Sequence, residues 1–158
     1  MNTPWRLSWV IYVDANVLYN YLFDSEFADE AEKALSLSGK VTSKNAVNEA
    51  VYVSIRKLAK DRHGVSNLHE LKTFVKTPEG KKILDEAFSM VLRLLDSAGI
   101  KLVEEEDDMR VVGKVAEVYG LLPNDAIIVA TCMKHGITRI ATFDRDFENV
   151  PFLEIVRG

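Results

Sequence analysis

The chain has 158 residues, a length typical of one domain that buries a core without disulfides or a structural metal. Its composition, 47% hydrophobic and 28% charged with 8 Gly and 4 Pro, excludes a disordered, collagen-like or low-complexity protein. The formal net charge of -4 argues against holding nucleic acid by bulk positive charge, so any such contact is expected to be local.

The first quarter of the chain predicts one strand and two helices. Residues 8–13 are β-branched and aromatic without polar alternation, which favours a strand buried on both faces that ends at Asp14. Helical spacing of apolar residues follows over about 16–23 and 27–37, and Gly39 is expected to end the second helix.

The middle of the chain is mainly helical. A short strand is predicted over 40–42, followed by a helix that runs to about Arg62, with Ser43 or Asn45 as its cap. Residues 64–99 hold two further helical segments, which we describe as a helical arm and which contain no recognisable motif.

The last third returns to alternating strands and helices. Predicted strands cover 100–103, 139–143 and 152–156, and the acidic run 104–108 is expected at the start of a helix, where the helix dipole favours it. Residues 126–133 form a nearly all-apolar helix. Strands separated by helices predict one α/β domain over 1–158, with a parallel sheet covered on both faces.

Membrane and metal-thiol classes find no support in the sequence. The longest apolar stretches are far shorter than the roughly 20 residues needed to span a bilayer, and the N-terminus lacks a signal-peptide pattern. We therefore expect a cytoplasmic protein with no membrane contact. Cys132 lies in an apolar segment typical of packing, and the three histidines lack the spacing of a zinc motif.

Four acidic residues occur where predicted strands end or helices begin. Asp14 and Asp144 each follow a strand, and Glu49 and Asp125 lie in or near first turns of helices. In an open parallel sheet, ligands bind beyond the carboxyl ends of the strands, near the point where strand order reverses. Each acid alone also fits a helix cap or an exposed surface position, so the hypothesis depends on all four converging.

Convergence of four carboxylates would require compensating positive charge. Each close pair repels by roughly 4 kcal/mol at an effective dielectric near 20, and two divalent cations would neutralise the set. Mg²⁺ and Mn²⁺ prefer such oxygen ligands, and a pair of them suits phosphodiester cleavage because bound water ionises more readily. Asn16 and Thr142 lie two residues from Asp14 and Asp144 and are candidates for orienting a carboxylate or water.

These residues resemble a known family pattern. The matching segments are VDANVL at 13–18, NE at 48–49, PNDA at 123–126 and ATFDRDF at 141–147. Together, and in this order, they resemble the PIN domain from about Val10 to the C-terminus. The resemblance implies a Rossmann-like three-layer α/β/α sandwich with a central parallel sheet.

The resemblance also implies an activity. It places Asp14, Glu49, Asp125 and Asp144 in one pocket that binds one or two Mg²⁺ or Mn²⁺ ions, with Asp146 as an auxiliary ligand. PIN domains of this size are similar to the toxin half of VapBC toxin-antitoxin pairs, which cleave single-stranded RNA endonucleolytically, often as homodimers, and are silenced by a small antitoxin protein. The chain is longer than a minimal toxin of this kind because of the helical arm.

A basic bias on the third helix and the arm is the candidate RNA contact. Arg56, Lys57 and Lys60 lead this set, although a solvated helix face is the better explanation for any one of them taken singly. Three alternatives stay open: a housekeeping RNA-processing nuclease, a non-catalytic PIN-like binding module, and a small-molecule phosphohydrolase. The last is disfavoured because haloacid-dehalogenase-like phosphatases carry Asp where this chain has Asn16.

Overall fold

The computed structural model describes residues 9–156, so Ser8, the first residue of the predicted strand 8–13, lies outside the described part. Within it, all the strands belong to one parallel sheet: β1 (Ile11–Val13), β2 (Lys40–Thr42), β3 (Lys101–Leu102), β4 (Arg139–Ala141) and β5 (Glu154–Val156). The order across the sheet is β3-β2-β1-β4-β5. The chain therefore moves outward from β1 to β3 and returns to the other side of β1, which makes the junction of β1 and β4 the point where strand order reverses.

Helices connect all but the last pair of strands. The α-helices are α1 (Ala15–Leu22), α2 (Ala28–Leu35), α3 (Lys44–His63), α4 (Leu68–Phe74), α5 (Pro78–Ser97), α6 (Met109–Tyr119) and α7 (Pro123–His135). A 3₁₀ helix, η1 (Arg145–Asn149), lies between β4 and β5 and was not predicted. The predicted sequence of strands and helices is otherwise reproduced, and the arm corresponds to α4 and α5.

Packing places the sheet between two helical layers. In one layer α3 lies against α1 and α5, and α1 also contacts α2; on the other side α6 packs against α7. The predicted α/β/α sandwich is thus confirmed. Among residues 9–156 no single helix is long and apolar enough to cross a membrane, although α6 and α7 together meet that length and composition test across a bend of 106°.

Helix α3 shows why the sequence forms this layer. Its buried residues recur every three or four positions, which is the period of one helix face: Ala46, Ala50, Val51, Ser54, Ile55, Leu58 and Ala59. Gly64 ends the helix with φ of 68°, a left-handed conformation that favours glycine. The apolar face of α5 covers this stripe, so the arm contributes to the same core.

Apart from β2, which has the predicted bounds, the strands are shorter than the hydrophobic pattern predicted. β1 starts at Ile11, because Trp9 lies in a turn and is 63% exposed, although Ile11, Tyr12 and Val13 are buried as expected. Gly39 has φ of 74°, and a Cβ there would lie 2.7 Å from the Trp9 carbonyl oxygen. Glycine therefore allows the chain entering β2 to approach β1, where the Ile11 N–H donates to the Gly39 carbonyl at 2.9 Å.

The predicted cap of α3 was only partly correct. Ser43 occupies the N-cap position, but its hydroxyl makes no bond to the helix and contacts the buried Tyr12 hydroxyl at 2.6 Å. Glu105 instead accepts from the Asn45 N–H at 3.2 Å and from the Ser43 hydroxyl at 3.0 Å. The acidic run was expected at the next helix, where Asp108 does cap α6, but Glu105 serves the start of α3.

Candidate active site

Asp14 lies at the carboxyl end of β1 and is 5% exposed. It is also the N-cap of α1, where its Oδ1 accepts the Ala15 N–H at 2.7 Å. Its Oδ2 accepts the Thr142 hydroxyl at 2.8 Å. Both oxygens are held in place, so the capping role that the sequence also allowed is compatible with a role in the site.

Thr142 and Asn16 join the ends of β1 and β4. The Thr142 hydroxyl, which donates to Asp14, accepts the Asn16 side-chain amide at 3.2 Å and the Asp144 N–H at 3.0 Å. The side-chain oxygen Oδ1 of Asn16 accepts the Phe143 N–H at 3.2 Å. These bonds take the amides of 143 and 144 away from the sheet, which explains why β4 ends at Ala141 and not at Phe143 as predicted.

Three further carboxylates meet beside this junction. Asp144 caps η1, with its Oδ1 accepting the Asp146 N–H at 2.8 Å. Asp125 lies in the first turn of α7. Each of Asp125, Asp144 and Asp146 has a carboxylate oxygen that lies within 4.8 Å of the others, a spacing that allows them to share one metal ion.

Electrostatic coupling links Glu49 and Asp14 to the same cluster. Burial, with a smaller contribution from the charges of Glu49 and Asp144, raises the pKa of Asp14 to about 6, although its hydrogen bonds with Thr142 and Ala15 lower it. Burial and then the charges of Asp144, Asp14 and Asp146 raise the pKa of Asp125 to about 6. The pKa of Glu49, in the second turn of α3, is raised by burial and then by Asp125 and Asp144. The structure therefore brings all five predicted acids to one edge of the sheet.

Basic side chains do not neutralise the acidic cluster within the described part of the chain. Within residues 9–156, none of the Lys, Arg or His nitrogens forms an ion pair of 4.0 Å or less with any of these five carboxylates. The ligand atoms are all oxygens, and one of the carboxylates is deeply buried. Such a set fits a hard divalent cation, which would offset the burial and the repulsion that raise these pKa values.

Two aromatic residues near the cluster were not foreseen. Tyr19 is half-buried on α1, and burial followed by the charges of Glu49, Asp14 and Asp144 raises the pKa of its hydroxyl. It lies one helical turn after Asn16, so helical spacing alone could have indicated it. Phe27 stacks on Phe143 with ring centres 5.1 Å apart, which ties the loop before α2 to the end of β4.

The basic residues proposed from the sequence lie elsewhere on the molecule. Arg56, Lys57 and Lys60 line a cleft between the second half of α3 and the segment leading into α4. They are exposed, whereas the acids are buried or half-buried at the start of the same helix and beyond the strand ends, apart from Asp146, which is exposed.

The fold and the site define the class of three-layer parallel α/β proteins that carry an acidic cluster at the point where strand order reverses. The particular family follows from comparison with known proteins: the model of the PIN domain matches residues 11–153. The chain belongs to the PIN domain family.

Relatives from one archaeon match almost the whole chain. Ribonuclease VapC2 of Methanocaldococcus jannaschii is 31% identical over 159 aligned positions, covering 92% of this chain and 92% of the relative. Ribonuclease VapC6 of the same organism is 25% identical over 150 positions, covering 93% and 96%. Both relatives are named ribonucleases, and the sequence similarity to them extends over the arm as well as the sheet.

Solved structures agree in fold. A chain of a toxin-antitoxin complex from Klebsiella pneumoniae has a TM-score of 0.55 at 20% identity, covering 91% of this chain and 95% of that one. Mycobacterium tuberculosis VapC20, described as a sarcin-ricin loop cleaving toxin, has a TM-score of 0.58 at 18% identity, covering 94% and 99%. At these identities the likeness establishes the shared fold alone.

Proposed function

We propose that the protein is a VapC-type endoribonuclease that cleaves single-stranded RNA with the help of Mg²⁺ or Mn²⁺. The observation that carries the proposal is the gathering of five carboxylates, without a paired cation in residues 9–156, at the edge where strand order reverses. The family membership and the ribonuclease names of two full-length relatives support the same activity.

The proposed ligands are Asp14, Glu49, Asp125 and Asp144, with Asp146 as an auxiliary, and one or two ions would be held. When bound, such cations supply Lewis-acid activation of water and neutralisation of charge on the leaving oxygen. The residues of the chain provide orientation. Thr142 and Asn16 would be positioning residues, because their hydrogen bonds hold Asp14 and the backbone of Asp144 in a fixed relation.

The state of protonation in this site follows from its electrostatics. With pKa values near 6, Asp14 and Asp125 are mainly ionised at neutral pH, and a bound cation would favour the ionised form further. Glu49 and Asp125 are half-buried, so substrate can reach the cluster from their side. We propose that Arg56, Lys57 and Lys60 attract the RNA backbone, which a chain of net charge -4 would otherwise repel.

The proposed partners are RNA and a small antitoxin protein. A neighbour in fold comes from a toxin-antitoxin complex, and VapC names are given to both curated relatives. We further propose that the chain forms one domain, assembles as a homodimer and acts in the cytoplasm. Sedimentation of the purified chain tests the dimer, and co-purification with the product of an adjacent gene tests the antitoxin.

The nuclease proposal is tested by cleavage of a single-stranded RNA carrying a fluorophore and a quencher. Wild type, Asp125→Asn and Asp85→Asn are compared in Mn²⁺, in Mg²⁺ and in EDTA. Asp85 is exposed on α5 and controls for loss of one negative charge. We expect metal-dependent cleavage by wild type and Asp85→Asn and at least a hundredfold loss in Asp125→Asn, on the order of removing one key catalytic group. Equal cleavage by all three proteins would contradict the proposal.

A further inference from the structure

A second cleft lies on α3, beyond the acidic cluster. It encloses about 240 Å³ between the second half of α3 and the segment leading into α4. With 3.6 residues per turn, Glu49, Arg56 and Lys60 fall on one stripe of the helix, because their spacings are close to two and three full turns. The cleft therefore opens on the side of α3 that carries Glu49, about 10 to 17 Å further along the helix axis.

Two cations at this cleft are not neutralised by the described residues. Lys57 pairs with Asp61 at 3.2 Å, but within residues 9–156 neither Arg56 nor Lys60 has a carboxylate oxygen within 4.0 Å. Both side chains are exposed. Since the protein as a whole is negatively charged, this local positive charge marks a place for an anion.

Four apolar side chains, which we term the floor, line part of the cleft. They are Val53, Val65, Leu68 and Leu71, and Leu68 is 54% exposed although it is a large hydrophobic side chain. An apolar floor beside cations suits a ligand with a flat apolar body and a negative charge. The volume of about 240 Å³ lies below the roughly 300 to 1,000 Å³ of drug-sized pockets, so the cleft would enclose part of a nucleotide and leave the rest exposed.

Tyr52, which is not part of the cleft lining, adds a stacking surface beside Arg56. The Arg56 guanidinium carbon lies 5.7 Å from the centre of the Tyr52 ring, and the tyrosine is 41% exposed. Contact with the ring limits the freedom of the guanidinium. Aromatic rings and arginine planes are the groups on which proteins stack the unpaired bases of single-stranded RNA.

We propose that this cleft, which we term the α3–α4 cleft, is a second RNA-binding site that holds one nucleotide of the substrate. Arg56 and Lys60 bind its phosphate, and the base lies over Val53 and Leu68. This inference rests on the proposed ribonuclease function and deepens it. A strand running along α3 is anchored at the cleft while a bond several nucleotides away reaches the carboxylates, so the cleft selects both the length of substrate and the position of cleavage.

The test compares Arg56→Ala/Lys60→Ala with Arg110→Ala/Lys114→Ala. The control removes the same pair of residue types at the same spacing from exposed positions of α6. Affinity for a single-stranded RNA of about 12 nucleotides is measured by fluorescence anisotropy in EDTA over a range of salt, and cleavage of that RNA and of one about 4 nucleotides long is measured in Mn²⁺.

We expect the cleft variant to bind the longer RNA roughly tenfold more weakly, with the slope of log affinity against log salt reduced by about 0.7, corresponding to one phosphate that is no longer neutralised. The control variant should match wild type in affinity and in cleavage of both RNAs, whereas the cleft variant should lose more cleavage of the longer RNA than of the short one. Leu68→Ser should weaken binding without changing the salt slope, because it removes apolar contact alone.

Unchanged affinity and salt slope in Arg56→Ala/Lys60→Ala would overturn the inference while leaving the nuclease intact. Normal RNA binding combined with escape from inhibition by the antitoxin would also overturn it, and would identify the cleft as a protein-docking surface. If wild type cleaves neither RNA, the proposed function fails, and the anisotropy measurements in EDTA still decide whether the cleft binds RNA.

Discussion

Replacing Thr142 by valine is expected to disturb the site without changing its shape. The substitution removes the hydroxyl that donates to Asp14 at 2.8 Å and accepts the Asp144 N–H at 3.0 Å. A hydrogen bond to an ionised group contributes about 1.5 to 3 kcal/mol, and the Asp144 amide is near enough to solvent for water to replace its partner. We therefore expect the free energy of unfolding at neutral pH to fall by about 2 to 3 kcal/mol, or roughly 4 to 12 °C in melting temperature.

The same change has a titration signature. Because the Thr142 hydrogen bond lowers the pKa of Asp14, its loss should move that pKa above 6 and shift the acidic limb of the pH-rate profile upward. Thr142→Ser should restore both properties. Thr131→Val is the matched control: this buried hydroxyl accepts the Glu106 N–H at 3.2 Å, so stability should fall without a shift of the profile. A Thr142→Val protein with wild-type stability and an unshifted profile would refute the positioning role.

Three further predictions concern charge and packing. Asp125→Asn should raise the melting temperature in EDTA at pH 7.5, because it removes the repulsion between Asp125 and the neighbouring carboxylates. The same variant should no longer be stabilised by Mn²⁺, and an unchanged response to Mn²⁺ would exclude Asp125 as a ligand. Asp14 and Asp125 have pKa values near 6 in the folded protein, above the ordinary 3.8, so without metal the free energy of unfolding should fall as pH rises from 4 to 7. The affinity for Mn²⁺ should increase over the same range, because binding the ion releases protons from these carboxyl groups. Calorimetry in buffers of different ionisation enthalpy measures the proton release, and its absence would contradict the assignment of these residues as ligands. Gly80→Ala should lower the free energy of unfolding by about 1 to 3 kcal/mol, because its Cβ would collide with the Phe74 carbonyl. Gly113→Ala should raise the free energy of unfolding slightly, because the space around Gly113 is open. Equal effects of the two substitutions in denaturant titrations would contradict this packing.

Local patterns were sufficient to predict most of the fold. The strand over 40–42 and the helix that follows it were recognisable because apolar spacing and glycine positions reflect burial directly. The ends of strands were less predictable. β4 stops at Ala141 because the side chains of Asn16 and Thr142 accept the amides of Phe143 and Asp144. The bond between Asn16 and Phe143 joins residues 127 positions apart and therefore leaves no local pattern.

The candidate site divides in the same way. Asp14 and Asp144 could be placed from the chain alone, since Asp14 directly follows β1, Asp144 comes shortly after β4, and such ends converge in a parallel sheet. Glu49 needed the family resemblance, because a glutamate on a helix has no positional signal of its own. Tyr19 and Glu105 were missed because their roles depend on how α1 and the acidic run pack against α3 and its neighbours.

We propose that the five carboxylates form one divalent-metal site. The decisive measurement for this proposed site is Mn²⁺ binding to the purified protein. Isothermal titration and thermal unfolding would be measured for wild type, Asp14→Asn, Glu49→Gln, Asp125→Asn, Asp144→Asn and the control Asp85→Asn. With such a site, wild type and the control variant should show saturable binding of one or two ions, with stabilisation of about 1.4 kcal/mol when Mn²⁺ is at ten times its dissociation constant. All four site variants should bind Mn²⁺ more weakly, as expected if their carboxylates are ligands of this site. Absence of saturable binding to wild type, or equal binding by all the proteins, would contradict it.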